Sequence, residues 1–343
     1  MKAAVIHTFR EPLTLTTLPD PTPPAGGVVI QVEATGVCRS DWHAWQGHDP
    51  TIRLPHVPGH EFAGKIAELG RGVTGWQIGE RVTVPFCCGC GRCEMCAEGS
   101  THLCHYEYQP GFSGSGSFAE YVALPYAETN LVRLPDTLES VTAASLGCRF
   151  MTAFHALTAQ GRVTAGQWVA VHGCGGVGLS AVMIAASLGA RVIAVDIDAE
   201  KLTAARALGA EHTILSIHPV EEILELTGGG ARVSLDALGS ASTCRNSVRC
   251  LRKKGRHVQV GLLLGEGKPV ALPLGEVISK ELEVVGSHGM PARSYPELLA
   301  LIISGVLHPQ RLIAKTIPLA EAGAELGAMG SFAQRGVTVI EIA

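Results

Sequence analysis

The stretch that most constrains this chain lies between Gln167 and Asp196. Gln167-Trp168-Val169-Ala170-Val171-His172 reads as a strand, Gly173-Cys174-Gly175-Gly176-Val177-Gly178 follows, and an apolar helix-like run continues to Leu188. A second strand, Val192-Ile193-Ala194-Val195, ends at Asp196. Strand, G-x-G-x-x-G turn, helix, strand and acid in that order form the fingerprint of a dinucleotide-binding βαβ unit. Gly173, Gly175 and Gly178 permit a tight turn, and with Gly176 and Val177 they bring backbone N–H groups and a helix N-terminus to a pyrophosphate. Asp196 stands where it can accept from ribose hydroxyls, and Ile197 to Glu200 offer no arginine for a 2′-phosphate, so NAD is expected over NADP. The plainer alternative is that Asp196 caps the next helix, which Lys201 to Leu208 continue. Lys201 is grouped with the cofactor-binding residues. Strand-like text recurs at Val233–Asp236, His257–Val260, Leu282–Val285 and Gly336–Ile342, with an amphipathic helix over Tyr295–Gly305. This alternation predicts an α/β fold with a doubly wound parallel sheet. The uncharged run from Gly173 to Ala190 has the length of a membrane span, but its glycines fit a phosphate loop better.

A chain of 343 residues exceeds what one core normally covers, so about two domains are expected. A net charge of −4 gives no reason to expect nucleic acid or an anionic membrane as partner. Eleven cysteines would suit a secreted disulfide protein, yet the start, Met1-Lys2-Ala3-Ala4-Val5-Ile6-His7, lacks a signal peptide's apolar core and cleavage site. A cytoplasmic protein with reduced thiols is the expectation, and clustered cysteines there point to metal. Cys90, Cys93, Cys96 and Cys104 stand at intervals of three, three and eight, a spacing that lets four thiolates close on one tetrahedral structural Zn²⁺. Buried unpaired thiols are the bland alternative. Cys87 and Cys88 fall outside the spacing and read as packing residues, with Cys87 a possible competitor for metal.

Before this lobe, strand-like text such as Val28–Val32 and the glycine-punctuated Glu61–Val84 suggests a compact β-barrel with tight turns. Between the two strand-like regions, Cys38 to Pro58 is aperiodic and reads as loop. It begins Gly36-Val37-Cys38-Arg39-Ser40-Asp41-Trp42-His43 and leads to Pro58-Gly59-His60-Glu61. Cys38 and His60 form a plausible pair of ligands for Zn²⁺, which takes Cys sulfur and His nitrogen together. Two ligands do not make a site, and nothing in the spacing identifies a third.

These residues carry a family resemblance over essentially the whole chain. Gly59-His60-Glu61-Phe62-Ala63-Gly64 with Gly70 and Val73, Cys38-Arg39-Ser40-Asp41 and the four-cysteine lobe resemble the zinc-dependent alcohol dehydrogenases of the medium-chain dehydrogenase/reductase superfamily. The resemblance implies a GroES-like catalytic domain over 1–149 and 288–343, interrupted by a Rossmann NAD-binding domain over 150–287, with the active site in the cleft between them. It implies two Zn²⁺ per subunit. The catalytic ion would be held by Cys38, His60 and Cys148, although Cys148 by itself reads as an ordinary buried thiol. Glu61 matches a residue beside that metal, and Asp41 one that orients the His ligand. Ser40 and His43 match a proton relay, while Arg39 and Arg335 match arginines on the pyrophosphate. The bulky Trp that small-alcohol members carry near the position of Asp49 is absent here, which implies a more open pocket, while Trp42, Trp45 and Phe86 remain candidates to line it.

The implied reaction is reversible oxidation of an alcohol to an aldehyde or ketone with hydride transfer to NAD, in a homotetramer or homodimer. A zinc-dependent polyol (sorbitol-type) dehydrogenase would share the scaffold. A zinc-free quinone reductase relative is opposed by the joint presence of Cys38, His60 and Cys148. From a different class, a zinc-stabilised nucleotide-binding protein without catalysis would carry one zinc per chain and form no NADH.

Overall fold

A computed structural model describes residues 1–263, 270–331 and 336–342. These divide into two compact units, Met1–Met151 with Gly289–Ala343, and Thr152–His288.

The first unit is built on a seven-stranded sheet whose central strand, Val28–Val37, is ten residues long. That strand pairs antiparallel with Glu61–Leu69 along one side. On its other side it meets Tyr121–Leu124 at its start and Val337–Glu341 at its end. Val28, Ile30 and Val32 alternate along it and share a core with Phe62, Ile66, Val82, Val122 and Leu124. The register sets Gly36 opposite Glu61. Cys38 therefore leaves the end of one strand where His60 enters the next, and a thiol and an imidazole 22 positions apart in the chain become neighbours.

The text after Cys38 is not all loop. Arg39–Trp45 forms a helix of seven residues with Cys38 at its N-cap, so Ser40, Asp41 and His43 stand on helical backbone. Its buried residues are Asp41, Ala44 and Trp45, at i, i+3 and i+4, but the acid at the first of these hides the apolar stripe. Trp45 is a core residue. It packs with Val5, Ile6, Val57 and Phe118, and its indole N–H donates to the Glu11 carbonyl at 2.6 Å.

The second unit is a six-stranded, all-parallel sheet. Its spatial order is His212–Leu215, Arg191–Asp196, Trp168–His172, Ala231–Asp236, Leu251–Gln259, Glu283–Gly286. Numbered along the chain this is 3-2-1-4-5-6, the doubly wound order in which the first and fourth strands flank the switch point. The apolar run after the glycines forms a helix, Gly176–Ser187, packed within this unit. No helix among the described residues is long and apolar enough to cross a membrane.

Candidate active site and metal centres

Four side chains converge in the first unit. Cys38 Sγ, a His60 ring nitrogen, a Glu61 carboxylate oxygen and Cys148 Sγ all lie within 4.8 Å of one another. Ligands bonded about 2.0–2.3 Å from one tetrahedral ion stand roughly 3.3–3.8 Å apart, which falls inside that limit. Cys38 and His60 come from the adjoining strand ends described above. Cys148 comes from a wide helical turn, Leu146–Phe150, kinked at Gly147, where φ is −44° and ψ is −108°.

Asp41 holds the two strand ends together. Its Oδ2 accepts the Cys38 N–H at 2.9 Å, while Oδ1 accepts the Gly59 N–H at 3.1 Å and His60 Nδ1–H at 2.8 Å. Because the carboxylate can only accept, the His60 proton sits on Nδ1 and Nε2 is aimed elsewhere. Nε2 is fully buried and has no hydrogen-bond partner. A buried, orphaned imidazole nitrogen is costly unless something unseen completes it. A zinc ion fits that description, and the neighbouring donors are of the kinds zinc prefers.

The electrostatics point the same way. A hydrogen bond from the Cys148 thiol holds Cys38 well below the ordinary thiol range, even against burial. The same bond, with burial, pushes Cys148 up. Burial pulls the His60 imidazole down, but the charge and hydrogen bond of Asp41 outweigh it and hold the ring well above its usual value. The pocket thus stabilises a thiolate beside a positive charge, and a cation bound there would take that charge's place.

Glu61 is fully buried and occupied. Oε1 accepts the Cys148 N–H at 3.1 Å, the Arg149 N–H at 3.3 Å and Arg149 Nε at 3.1 Å, and Oε2 pairs with Arg149 Nη2. Burial raises its carboxyl to about 7 in spite of the Arg149 charge. The slot is shaped by glycine: a Cβ on Gly36 would collide with the Glu61 carboxylate, and one on Gly147 with its stem. Arg149 escaped notice in the sequence because its partner stands 88 residues away. Its position immediately after Cys148, in a buried apolar run, was the only available signal.

Around these candidate ligands, Phe86 and Phe112 stand edge-on to the His60 ring, with centroids 6.1 and 5.4 Å away. Phe112 was not foreseen. Ser40 Oγ lies 3.8 Å from Cys38 Sγ. Trp42 packs edge-on to His43, and the Arg39 guanidinium carbon sits 5.0 Å from the Trp42 ring.

The four-cysteine lobe forms a second cluster of converging thiols. Cys93 Sγ is 3.5 Å from Cys96 Sγ and 3.7 Å from Cys104 Sγ. Thiolates bonded at about 2.3 Å to one tetrahedral Zn²⁺ stand roughly 3.8 Å apart. The backbone N–H groups of Cys90 and Tyr106 both donate to Cys104 Sγ at 3.2 Å. Asn130 clamps the entry to the lobe, accepting the Gly89 N–H at 2.8 Å and donating to the Gly89 carbonyl at 2.9 Å. Backbone N–H donation, first from Cys96, lowers Cys93 to about 6. All eleven cysteines are free, and Cys87 and Cys88 are fully buried and belong to neither cluster.

In the second unit, Gly173 has φ of +89°, which favours glycine, and a Cβ on Gly178 would strike the Gly173 carbonyl. Nothing lies within 4 Å of a Cβ built on Gly175, the N-cap of the Gly176–Ser187 helix. This leaves the helix N-terminus an open cradle of the kind a pyrophosphate fills. Asp196 accepts the Cys174 N–H at 2.6 Å, Ile197 N–H at 2.8 Å and Asp198 N–H at 3.0 Å, which ties the glycine turn to the second strand. The helix cap falls to Asp198, which accepts from Glu200 and Lys201 N–H groups. Arg335 lies outside the described residues.

Comparison with known proteins agrees with this architecture. Residues 24–136 match the family model of the alcohol dehydrogenase GroES-like domain, and residues 176–304 that of the zinc-binding dehydrogenases. An NAD-dependent alcohol dehydrogenase of Sulfurisphaera tokodaii is 33% identical over 99% of both chains. A sorbitol dehydrogenase of Halalkalibacterium halodurans is 34% identical over 88% of both. Among solved structures, an NAD-dependent alcohol dehydrogenase superposes with a TM-score of 0.90 at 31% identity, covering 100% of each chain. The chain belongs to the zinc-dependent alcohol dehydrogenase family of the medium-chain dehydrogenase/reductase superfamily.

Proposed function

We propose that the protein reversibly oxidises a primary or secondary alcohol to an aldehyde or ketone, with NAD as the hydride acceptor. The observation that carries this reading is the convergence of Cys38, His60 and Cys148 around an imidazole nitrogen that is buried without a partner. Three protein ligands leave a fourth position of a tetrahedral ion for substrate, as catalytic zinc sites require. When bound, zinc supplies Lewis acidity toward the alcohol oxygen and NAD supplies the hydride acceptor.

The chain's own residues do the rest. Asp41 fixes the tautomer and aim of His60, and by holding the Cys38 N–H it sets the spacing of both ligands. Glu61, engaged by Arg149, fixes the turn that carries Cys148. Ser40 is assigned to receive the alcohol proton and His43 to pass it outward. Phe86 and Trp42, with Phe112, are assigned to the substrate pocket. Gly173, Gly175, Gly176, Val177, Gly178, Asp196 and Lys201 are assigned to the dinucleotide, with Arg39 and Arg335 on its pyrophosphate. Cys90, Cys93, Cys96 and Cys104 are assigned a second, structural zinc, so the proposed content is two per chain. The catalytic domain is taken as 1–149 with 288–343, and the NAD domain as 150–287.

A cytoplasmic homo-oligomer, tetramer or dimer, is also proposed. The sheet edge at Glu283–Gly286 supports association, because Val284 is 40% exposed on it, with Leu274 and Ile278 at 61% and 77% on the preceding helix. Incubation with NAD and a panel of simple alcohols, sorbitol and threonine tests the reading by NADH absorbance. Turnover of simple alcohols is expected. Turnover confined to sorbitol would move the protein to the polyol branch, and none on any substrate would reject the reading.

A further inference from the structure

We propose that His48 is the outer member of a two-imidazole proton exit, taking from His43 the proton released in alcohol oxidation and passing it to water. The inference rests on the proposed relay role of His43. What prompts it is a contact that no spacing in the sequence announced: His43 Nδ1 and His48 Nδ1 are 2.9 Å apart.

The backbone builds this pair. His43 lies in the last turn of the Arg39–Trp45 helix, which Gln46 caps, and Gly47 takes φ of +75° and reverses the chain. The His48 N–H then donates to the His43 carbonyl at 3.0 Å, which lays the second imidazole beside the first. Trp42 stands edge-on to both rings, at 5.0 and 5.8 Å and interplanar angles of 73° and 77°. A Cβ on Gly47 would press on the Phe9 ring at 3.1 Å, so the reversal is also supported from behind. His43 is half-buried and His48 exposed, so the pair leads from protein to solvent.

Two Nδ1 atoms at this distance share one proton, with one ring donating and the other accepting. A proton arriving at His43 Nε2 is balanced by transfer of the His43 Nδ1 proton to His48 Nδ1. His48 is then protonated on both nitrogens and loses one of those protons to water, and no electrons move. The charged groups that act on His43 favour this direction. Burial, the neighbouring His48 and the Arg39 guanidinium all lower its affinity for a second proton, against a smaller pull from Cys38. His43 by itself is thus a poor place for the proton to stay, and His48 offers the exposed site beside it.

The test compares His48→Gln with His43→Gln in the zinc- and NAD-loaded enzyme, in weak buffer, across pH and with added imidazole. Loss of a directly acting proton-transfer group costs about 10²–10⁴-fold, so His43→Gln should fall in that range. His48→Gln, with water as a fallback, should lose about tenfold in kcat, with KM little changed. Its pH profile should shift, and free imidazole should restore most of the loss. Wild-type kcat and pH profile in His48→Gln, alongside an impaired His43→Gln, would reject the exit while leaving the proposed reaction standing. A slow His48→Gln that imidazole does not rescue would make His48 a structural residue and also reject the exit. If wild-type protein forms no NADH from any alcohol, it is the underlying reaction that fails.

Discussion

The two thiol clusters of the first unit are made of the same chemistry and built in opposite ways. The lobe draws its four cysteines from Cys90 to Cys104, a single short stretch, and leaves Cys93 half-exposed. Its geometry is held by local backbone N–H groups and by one asparagine. The Cys38 cluster draws on three separate segments, is almost wholly buried, and is held by buried side-chain pairs, with Asp41 on His60 and Arg149 on Glu61. A metal in the lobe has little core around it and would itself supply the folding energy. A metal in the Cys38 cluster would enter a frame that the sheet register and two buried carboxylates already define. On the proposed reading the lobe's ligands would fold with their ion, whereas the other set is organised beforehand. Such preorganisation suits a site that must keep one position open for chemistry.

The contrast can be broken most sharply at Cys38. Cys38→Ala is expected to abolish measurable NADH formation and to lower zinc by one per chain, with the melting temperature nearly unchanged. A large loss of stability would mean that this ion also holds the fold. Cys93→Ser should do the reverse, losing the lobe's zinc and lowering thermal stability by several kcal/mol, while the molecules that remain folded still turn over. Equal stability of Cys93→Ser and wild type would remove the distinction between the clusters.

Smaller effects test the frame itself. Asp41→Asn should weaken zinc at the Cys38 site, or slow turnover, by about 10–100-fold, as measured by chelator competition, with the lobe unaffected. Gly36→Ala should destabilise the protein by about 1–3 kcal/mol in urea unfolding, because the added methyl meets the Glu61 carboxylate opposite it. If that alanine is tolerated without cost, the Glu61 slot is looser than described.

The same contrast explains what could be read from the sequence. Cys90, Cys93, Cys96 and Cys104 announce themselves because spacing along the chain is spacing in space. The Gly173–Gly178 turn is legible for the same reason, since strand, glycines, helix and acid follow one another. Cys38 and His60 are less legible, because their proximity is set by strand register, which shows in the fold and not in local pattern. Cys148 came through family resemblance alone. Arg149 and Phe112 are not legible in the sequence, since their partners Glu61 and His60 lie far away in the chain. The Arg39–Trp45 helix looks like loop in the sequence because Asp41, which serves the site, occupies its buried stripe. His48 carries no signal in the sequence because only the reversal at Gly47 brings it to His43. Function hides this helix by placing a carboxylate where a simple fold would put an apolar residue.

The central claim is that this chain carries two zinc centres of different kind. Elemental analysis of the purified wild-type protein beside Cys148→Ser tests it most directly. Two zinc ions per chain in the wild type and one in the variant, with the variant still folded, is the predicted result. One zinc per chain in both would contradict the account and leave the Cys38, His60 and Cys148 convergence without a metal.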